Sequence, residues 1–155
     1  MPESLRLVRD LAGLPSTGAV SWPADVRLVP FGARLALPAY ELLKAAYANG
    51  YGSVPVSFDG WWASTRHDPE FDAGLCFCAM LDQRLVGFAL CWTSGFVKDI
   101  AVAALHRRRG IGEALLRSAC IVLAQRGIAQ LALKVHRDNA AARQLYARLG
   151  FRAVD

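Results

Sequence analysis

Residues 95–116, Gly-Phe-Val-Lys-Asp-Ile-Ala-Val-Ala-Ala-Leu-His-Arg-Arg-Arg-Gly-Ile-Gly-Glu-Ala-Leu-Leu, constrain the fold more than any other stretch of the chain. Residues 96–103 are short, apolar and β-prone. Ile111, Leu115, Ala119, Val122 and Leu123 then recur at the spacing of an amphipathic helix. A strand therefore runs through a basic glycine turn into a helix. The first turn of a helix carries N–H donors that Ser, Thr, Asp or Asn normally satisfy. None of these residues occurs from Ala103 to Gly112, and Arg107, Arg108 and Arg109 stand at the positive end of the helix dipole. An anion docked on the open donors resolves both features, and Gly110 and Gly112 let it approach the backbone. The alternative is a solvated basic turn.

Arg107-x-x-Gly110-x-Gly112, following an Ile-Ala-Val strand, resembles the acyl-CoA motif of the GCN5-related N-acetyltransferases. A second match lies downstream at Asn139, Tyr146 and Leu149-Gly150-Phe151, at the family's spacing. The resemblance covers residues 95–151; the first 94 residues match only in the order of expected elements.

A chain of 155 residues, 54% apolar and 20% charged, reads as one globular domain. No apolar run reaches the roughly 18 residues of a membrane span. The first residues lack the apolar core of a secretory signal, so the expected compartment is the cytoplasm. Cys76, Cys78, Cys91 and Cys120 all sit in apolar segments and read as buried thiols, with no metal site expected. Charge is uneven: residues 1–103 carry 8 basic and 10 acidic side chains, residues 104–155 carry 10 and 3. The second half is where an anionic ligand belongs. Nucleic acid is the rival partner, but no helix-turn-helix, zinc-finger or RNA-binding pattern accompanies the arginines. A dinucleotide site of the Rossmann type lacks its third glycine.

Residues 1–25 read as a leader, packed on the domain or exchanged with a partner chain, and residues 26–155 as the acetyltransferase domain. Within the leader, residues 5–8 are a strand or a helical turn, and residues 13–18 are a loop. A strand follows at residues 26–31, then a helix with Tyr40, Leu43, Ala46 and Tyr47 at helical spacing, stopped near Gly52. A second short helix begins after Ser57, a candidate N-cap. Two adjacent Trp on it cannot both face the core. Residues 75–81, 85–92 and 96–103 are strands joined by short turns, an antiparallel meander. Gly87 suggests a bulge. The central helix ends at Gly127, and residues 129–135 form a strand parallel to that of residues 96–103. Asp138 or Asn139 caps the last helix, residues 140–149. The fold class is α/β (α+β): a mixed sheet, a parallel pair splayed around the cofactor, and about four helices. Family members continue through further C-terminal strands, so this edge is expected to be shortened, or completed by residues 1–25 or another chain.

The resemblance implies an acetyl-CoA-dependent transfer to a primary amine, directly within a ternary complex. The amine could belong to a small molecule or to a protein. The diphosphate cradle would comprise Arg107, Arg108, Arg109, Gly110, Ile111, Gly112 and Glu113. The backbone of Ile100, Ala101 and Val102 would face the thioester and pair with the pantetheine arm, and Asn139 would touch that arm. Tyr146 occupies the family's general-acid position. Asp99, a carboxylate in an otherwise apolar strand, must face a polar cleft or be paired, and is the candidate to hold or deprotonate the amine. The other candidate bases are Glu41, Asp59, Glu70, His106 and His136. Trp61 and Trp62 would border the acceptor, or form a flap of core aromatics. A homodimer is expected from the family. The alternative is an inactive acyl-CoA-binding or protein-interaction module of the same fold.

Overall fold

The computed structural model describes residues 3–14 and 20–154. Seven strands form one sheet: β1 (Ser4–Asp10), β2 (Val26–Pro30), β3 (Cys76–Leu81), β4 (Arg84–Trp92), β5 (Phe96–Val102), β6 (Gln130–His136) and β7 (Arg152–Val154). Four helices accompany them: α1 (Ala36–Tyr47), α2 (Phe58–Arg66), α3 (Ile111–Gln125) and α4 (Ala140–Arg148). The strand order is β2-β3-β4-β5-β6-β1-β7. The meander β2 to β5 is antiparallel, and β5–β6 is the parallel pair.

The sheet has a core on each face. One gathers Leu115, Leu116, Ala119 and Leu123 of α3 with Leu131, Leu133 and Val135 of β6. The other gathers Ala39, Tyr40 and Leu43 of α1 and Trp61 of α2 with Cys78, Phe88, Leu90 and Ala101 of β3 to β5. All four cysteines are buried free thiols. Ser57 caps α2, its hydroxyl accepting from the Gly60 N–H at 3.0 Å. Asn139, and not Asp138, caps α4, accepting from the Ala142 N–H at 3.3 Å. Among the described residues, no helix is long and apolar enough to cross a membrane.

Two features of the sheet shape the site. First, the segment expected as a leader supplies β1, which lies between β6 and β7 and pairs with both within this chain. The edge beside β6 is thus completed by the chain's own first residues. The loop expected at residues 13–18 falls mainly outside the described residues. Second, the β4–β5 register shifts: Leu90 faces Asp99 and Cys91 faces Val97, which leaves Lys98 as an extra residue. A bulge of this kind reverses the alternation of the strand. Val97 accordingly packs with the α3-side core, whereas Ala101 packs with the α1-side core. Asp99, two residues from each, follows Ala101 onto the α1 side. Another bulge falls at Ala79/Met80, beside Gly87.

Candidate active site

The parallel pair meets at one register position, Phe96 opposite Ala132, closed by the Ala132 N–H donating to the Gly95 carbonyl at 2.8 Å. Beyond it the strands part, and a cleft of about 1060 Å³ opens between them. Its walls are the end of α1, β5 from Val97 to Val102, the start of α3, the end of β6, and α4.

At one end lies the α3 N-terminus. Gly110 is its N-cap at φ 89°, with no side-chain cap, and nothing lies within 4 Å of where a Cβ would stand. The N–H groups of Ile111, Gly112 and Glu113 have no hydrogen-bond partner among the described residues. Arg108 holds φ 62°, a left-handed conformation that non-glycine residues adopt at a cost of about 1 kcal/mol. The three arginines divide their work. Arg107 Nε donates to the Val102 carbonyl at 3.2 Å and pins the loop to β5. Arg109 Nη1 lies 3.1 Å from His106 Nδ1 and, alone of the three, does not line the cleft. Arg108 lines it, its guanidinium without a partner among the described residues. Gly112 packs closely between Leu145 of α4 and Val102 of β5, so the three elements meet at this corner. Gly87 makes the approach of α3 to the sheet possible: a Cβ there would come within 2.7 Å of Ile111 Cγ2.

Midway along the cleft stands Asp99, 3% exposed. Its Oδ1 accepts from the Tyr47 hydroxyl at 2.9 Å and lies 3.8 Å from Lys98 Nζ. Its Oδ2 is buried with no hydrogen-bond partner. Burial pushes the carboxyl up; Lys98, the Tyr47 hydroxyl and the nearby Trp61 indole pull it back without cancelling the rise. Tyr47 itself is pushed far up, first by burial and then by the Asp99 charge. The sequence reading missed Tyr47, which stands out there only as one apolar position of α1. The signal that could have exposed it was a phenol at a helix end facing a strand that carries a lone acid.

Tyr146, on α4, lines the cleft, 7% exposed and edge-on to Phe151 at 5.8 Å. Burial pushes its phenol up to about 12. Asn139 and His136 line the same end. The His136 ring lies 4.9 Å from that of Tyr51, so the loop after α1 reaches across to the end of β6.

Of the two expectations for Trp61 and Trp62, the acceptor wall is not met, since neither lines the cleft. Trp61 is buried among Tyr40, Phe58 and Phe88, and Trp62 packs on Phe31 and Phe71 beneath the Arg66 guanidinium. Their place is explained by packing: α2 has one face on the α1-side core, and Trp61 fills it. Glu41 and Asp59 are exposed away from the cleft, and Glu70 is engaged by the Ser94 N–H at 2.8 Å.

The family model of the Acetyltransferase (GNAT) family matches residues 37–151. Over 94 residues the chain is 38% identical to mycothiol acetyltransferase of Clavibacter michiganensis, covering 57% of this chain and 31% of that protein. Over 98 residues it is 32% identical to the ribosomal protein bS18 alanine N-acetyltransferase of Haemophilus influenzae, covering 61% and 66%. The solved GCN5-related N-acetyltransferase from Sphaerobacter thermophilus has the same fold, with a TM-score of 0.83 at 23% identity over 97% of this chain and 48% of that one. The chain spans about a third of the length of the first curated relatives, 31% of both N-alpha-acetyltransferase 30 of Xenopus laevis and the mycothiol enzyme. The family match runs from α1 to the residue before β7 and takes in every residue that lines the cleft, and the chain belongs to the acetyltransferase (GNAT) family.

Proposed function

We propose that this chain transfers an acetyl group from acetyl-CoA to a primary amine, directly and without a covalent enzyme intermediate. The observation that carries this reading is the uncapped start of α3, with three unpartnered N–H groups, opening into the cleft that Tyr146 and Asp99 also line. These residues fit the cofactor. Three convergent N–H donors and the free Arg108 guanidinium suit a diphosphate, and the absence of a Cβ at Gly110 leaves room for it. The open edge of β5 from Ile100 to Val102 offers backbone groups to an extended amide-bearing arm, and Asn139 stands beside it. Acetyl-CoA, when bound, supplies the acyl group as a thioester.

The chain's own residues then have two protons to manage: one leaves the amine nitrogen and one reaches the departing sulfur. Tyr146 holds the second. Its phenol is protonated at every working pH and donates from a buried position, where a hydrogen bond to developing charge is strong. Asp99 takes the first, or holds the ammonium until water does, with Tyr47 fixing its orientation. The Val102 N–H, on the edge of β5 turned away from β4, provides a donor for oxyanion charge.

The test is calorimetric titration with acetyl-CoA, desulfo-CoA and dephospho-CoA, followed by turnover with a panel of amines. Binding that survives loss of the sulfur and weakens in Gly110→Glu supports the cradle. No binding to any of the three overturns the reading.

A further inference from the structure

Beside the acceptor side of the cleft stand three cations, and among the described residues only one of them, Lys98, has a carboxylate near it, Asp99 at 3.8 Å. Leu131, Leu133 and Val135 of β6, with Leu5 and Leu7 of β1, turn toward the α3-side core. Alternation therefore places Lys134 and Arg6 on the opposite face. The register sets these two directly across from each other. Like charges so placed repel and destabilise the pairing. Neither has an ion pair or hydrogen bond among the described residues. Lys98, on β5, is the third: it is half-exposed, lines the cleft with Lys134, and meets only Asp99, at 3.8 Å. Acid is scarce here. Asp10 shares this face of β1 but lies at the far end, 3.7 Å from Arg152. Asp138, at the rim, is exposed to solvent, and the His136 Nδ1 beside it accepts the Asp138 N–H at 3.1 Å. On this face the pair Val8 and Ala132 is buried and His136 lies under Tyr51, but Lys134 and Arg6 between them are exposed.

Resting on the acetyltransferase reading, we propose that Lys98, Lys134 and Arg6 bind an anionic group of the acceptor. The substrate class is then a primary amine carrying a carboxylate or phosphate roughly 5–10 Å from its nitrogen, the span of one to two strand spacings. Asp99 receives the amine end on β5, and the anion lies over β6 and β1. An anion bound between Arg6 and Lys134 offsets the mutual repulsion of these like charges. An acceptor with a second cation meets the same row as a barrier.

The test compares acceptors differing only in the anion: 6-aminohexanoate with 6-aminohexanamide, glycylglycine with glycylglycinamide, and O-phosphoethanolamine with ethanolamine. The expected result is a kcat/KM at least tenfold higher for the charged member of the preferred pair at low salt, shrinking at high salt. The phosphate pair against the carboxylate pairs decides which anion is taken. Lys134→Glu places opposite charges across the two strands and keeps the fold, and in it the ratio falls to one or below; Arg6→Glu moves it the same way. A second readout does not need turnover: calorimetric binding of 6-acetamidohexanoate against 6-acetamidohexanamide to the CoA-loaded protein. Equal use and binding of charged and neutral members, or a ratio unmoved by both variants, overturns the inference and leaves acetyl transfer standing. Selective binding of the charged product with no turnover of any amine overturns acetyl transfer and leaves the anion site standing.

Discussion

The Tyr47 hydroxyl joins α1 to the floor of the cleft: it donates to Asp99 Oδ1 at 2.9 Å and receives the Ile100 N–H in a long 3.4 Å contact. One phenol thus touches both the carboxylate on the acceptor side and a backbone donor on the acyl side. Tyr47→Phe removes a hydrogen bond that favours the ionised carboxylate, so the Asp99 carboxyl rises further. The ascending limb of kcat/KM against pH moves to higher pH, while acetyl-CoA affinity holds. A limb that stays in place shows that Asp99 does not govern it.

Asp99→Asn separates stability from activity. Burial raises the Asp99 carboxyl above its ordinary 3.8, so the folded chain binds this proton more tightly than the unfolded chain does. The stabilisation is complete below the unfolded value and is lost as pH rises through the folded one. Above that folded value the wild type holds a buried charge whose Oδ2 has no hydrogen-bond partner among the described residues. The variant gains thermal stability relative to wild type as pH rises through the folded value, by roughly 2–4 °C for each kcal/mol recovered. It loses kcat/KM over the same range. Thermal scans at several pH values check the first statement and initial rates the second.

Tyr146→Phe lowers kcat by roughly a hundredfold with little change in the KM for acetyl-CoA. Because the phenol is pushed up to about 12, wild-type activity shows no descending limb from this group across the usual assay range. Unchanged turnover in the variant would remove Tyr146 from the proton path.

Gly87→Ala drives a methyl group toward Ile111, the first residue of α3. The expected cost is about 1–3 kcal/mol, read as a lowered denaturation midpoint. Acetyl-CoA affinity falls with it, although Gly87 does not itself line the cleft, because the open N–H groups move with Ile111. Pairing the change with Ile111→Leu, which removes the β-branch methyl, restores part of both.

The start of α3 was legible because it rests on local rules: a helix begins where its periodicity begins, and the missing cap is visible in the letters. Ser57 and Asn139 were legible as caps for the same reason. The meander from β3 to β5 followed from short turns. The bulge was hidden, because Val97, Asp99 and Ala101 are all buried and read as one face of an uninterrupted strand. Only the register against β4 shows that the face changes between Val97 and Asp99. Tyr47 stayed hidden with it, as its spacing alongside Tyr40 and Leu43 is that of a packed helix position. Trp61 and Trp62 misled because bulk and aromaticity suit a pocket wall and a core equally, and which of the two holds depends on contacts with Phe31, Phe71 and Phe88 from distant segments. The place of β1 left no local trace: its partners lie at the other end of the sequence.

That placement has a kinetic consequence. β7 reaches the sheet only through β1, and β1 reaches it only through β6. Joining β1 to β6 closes a loop that spans nearly the whole chain. Closing such a loop is slow, and it comes after the local meander and the α3 crossover have formed. Until then Lys134 and His136 lie on an exposed edge, and the acceptor wall is the last part of the molecule to exist. Losing the first ten residues would leave the meander and the α3 crossover intact, with β7 unanchored and the site unfinished.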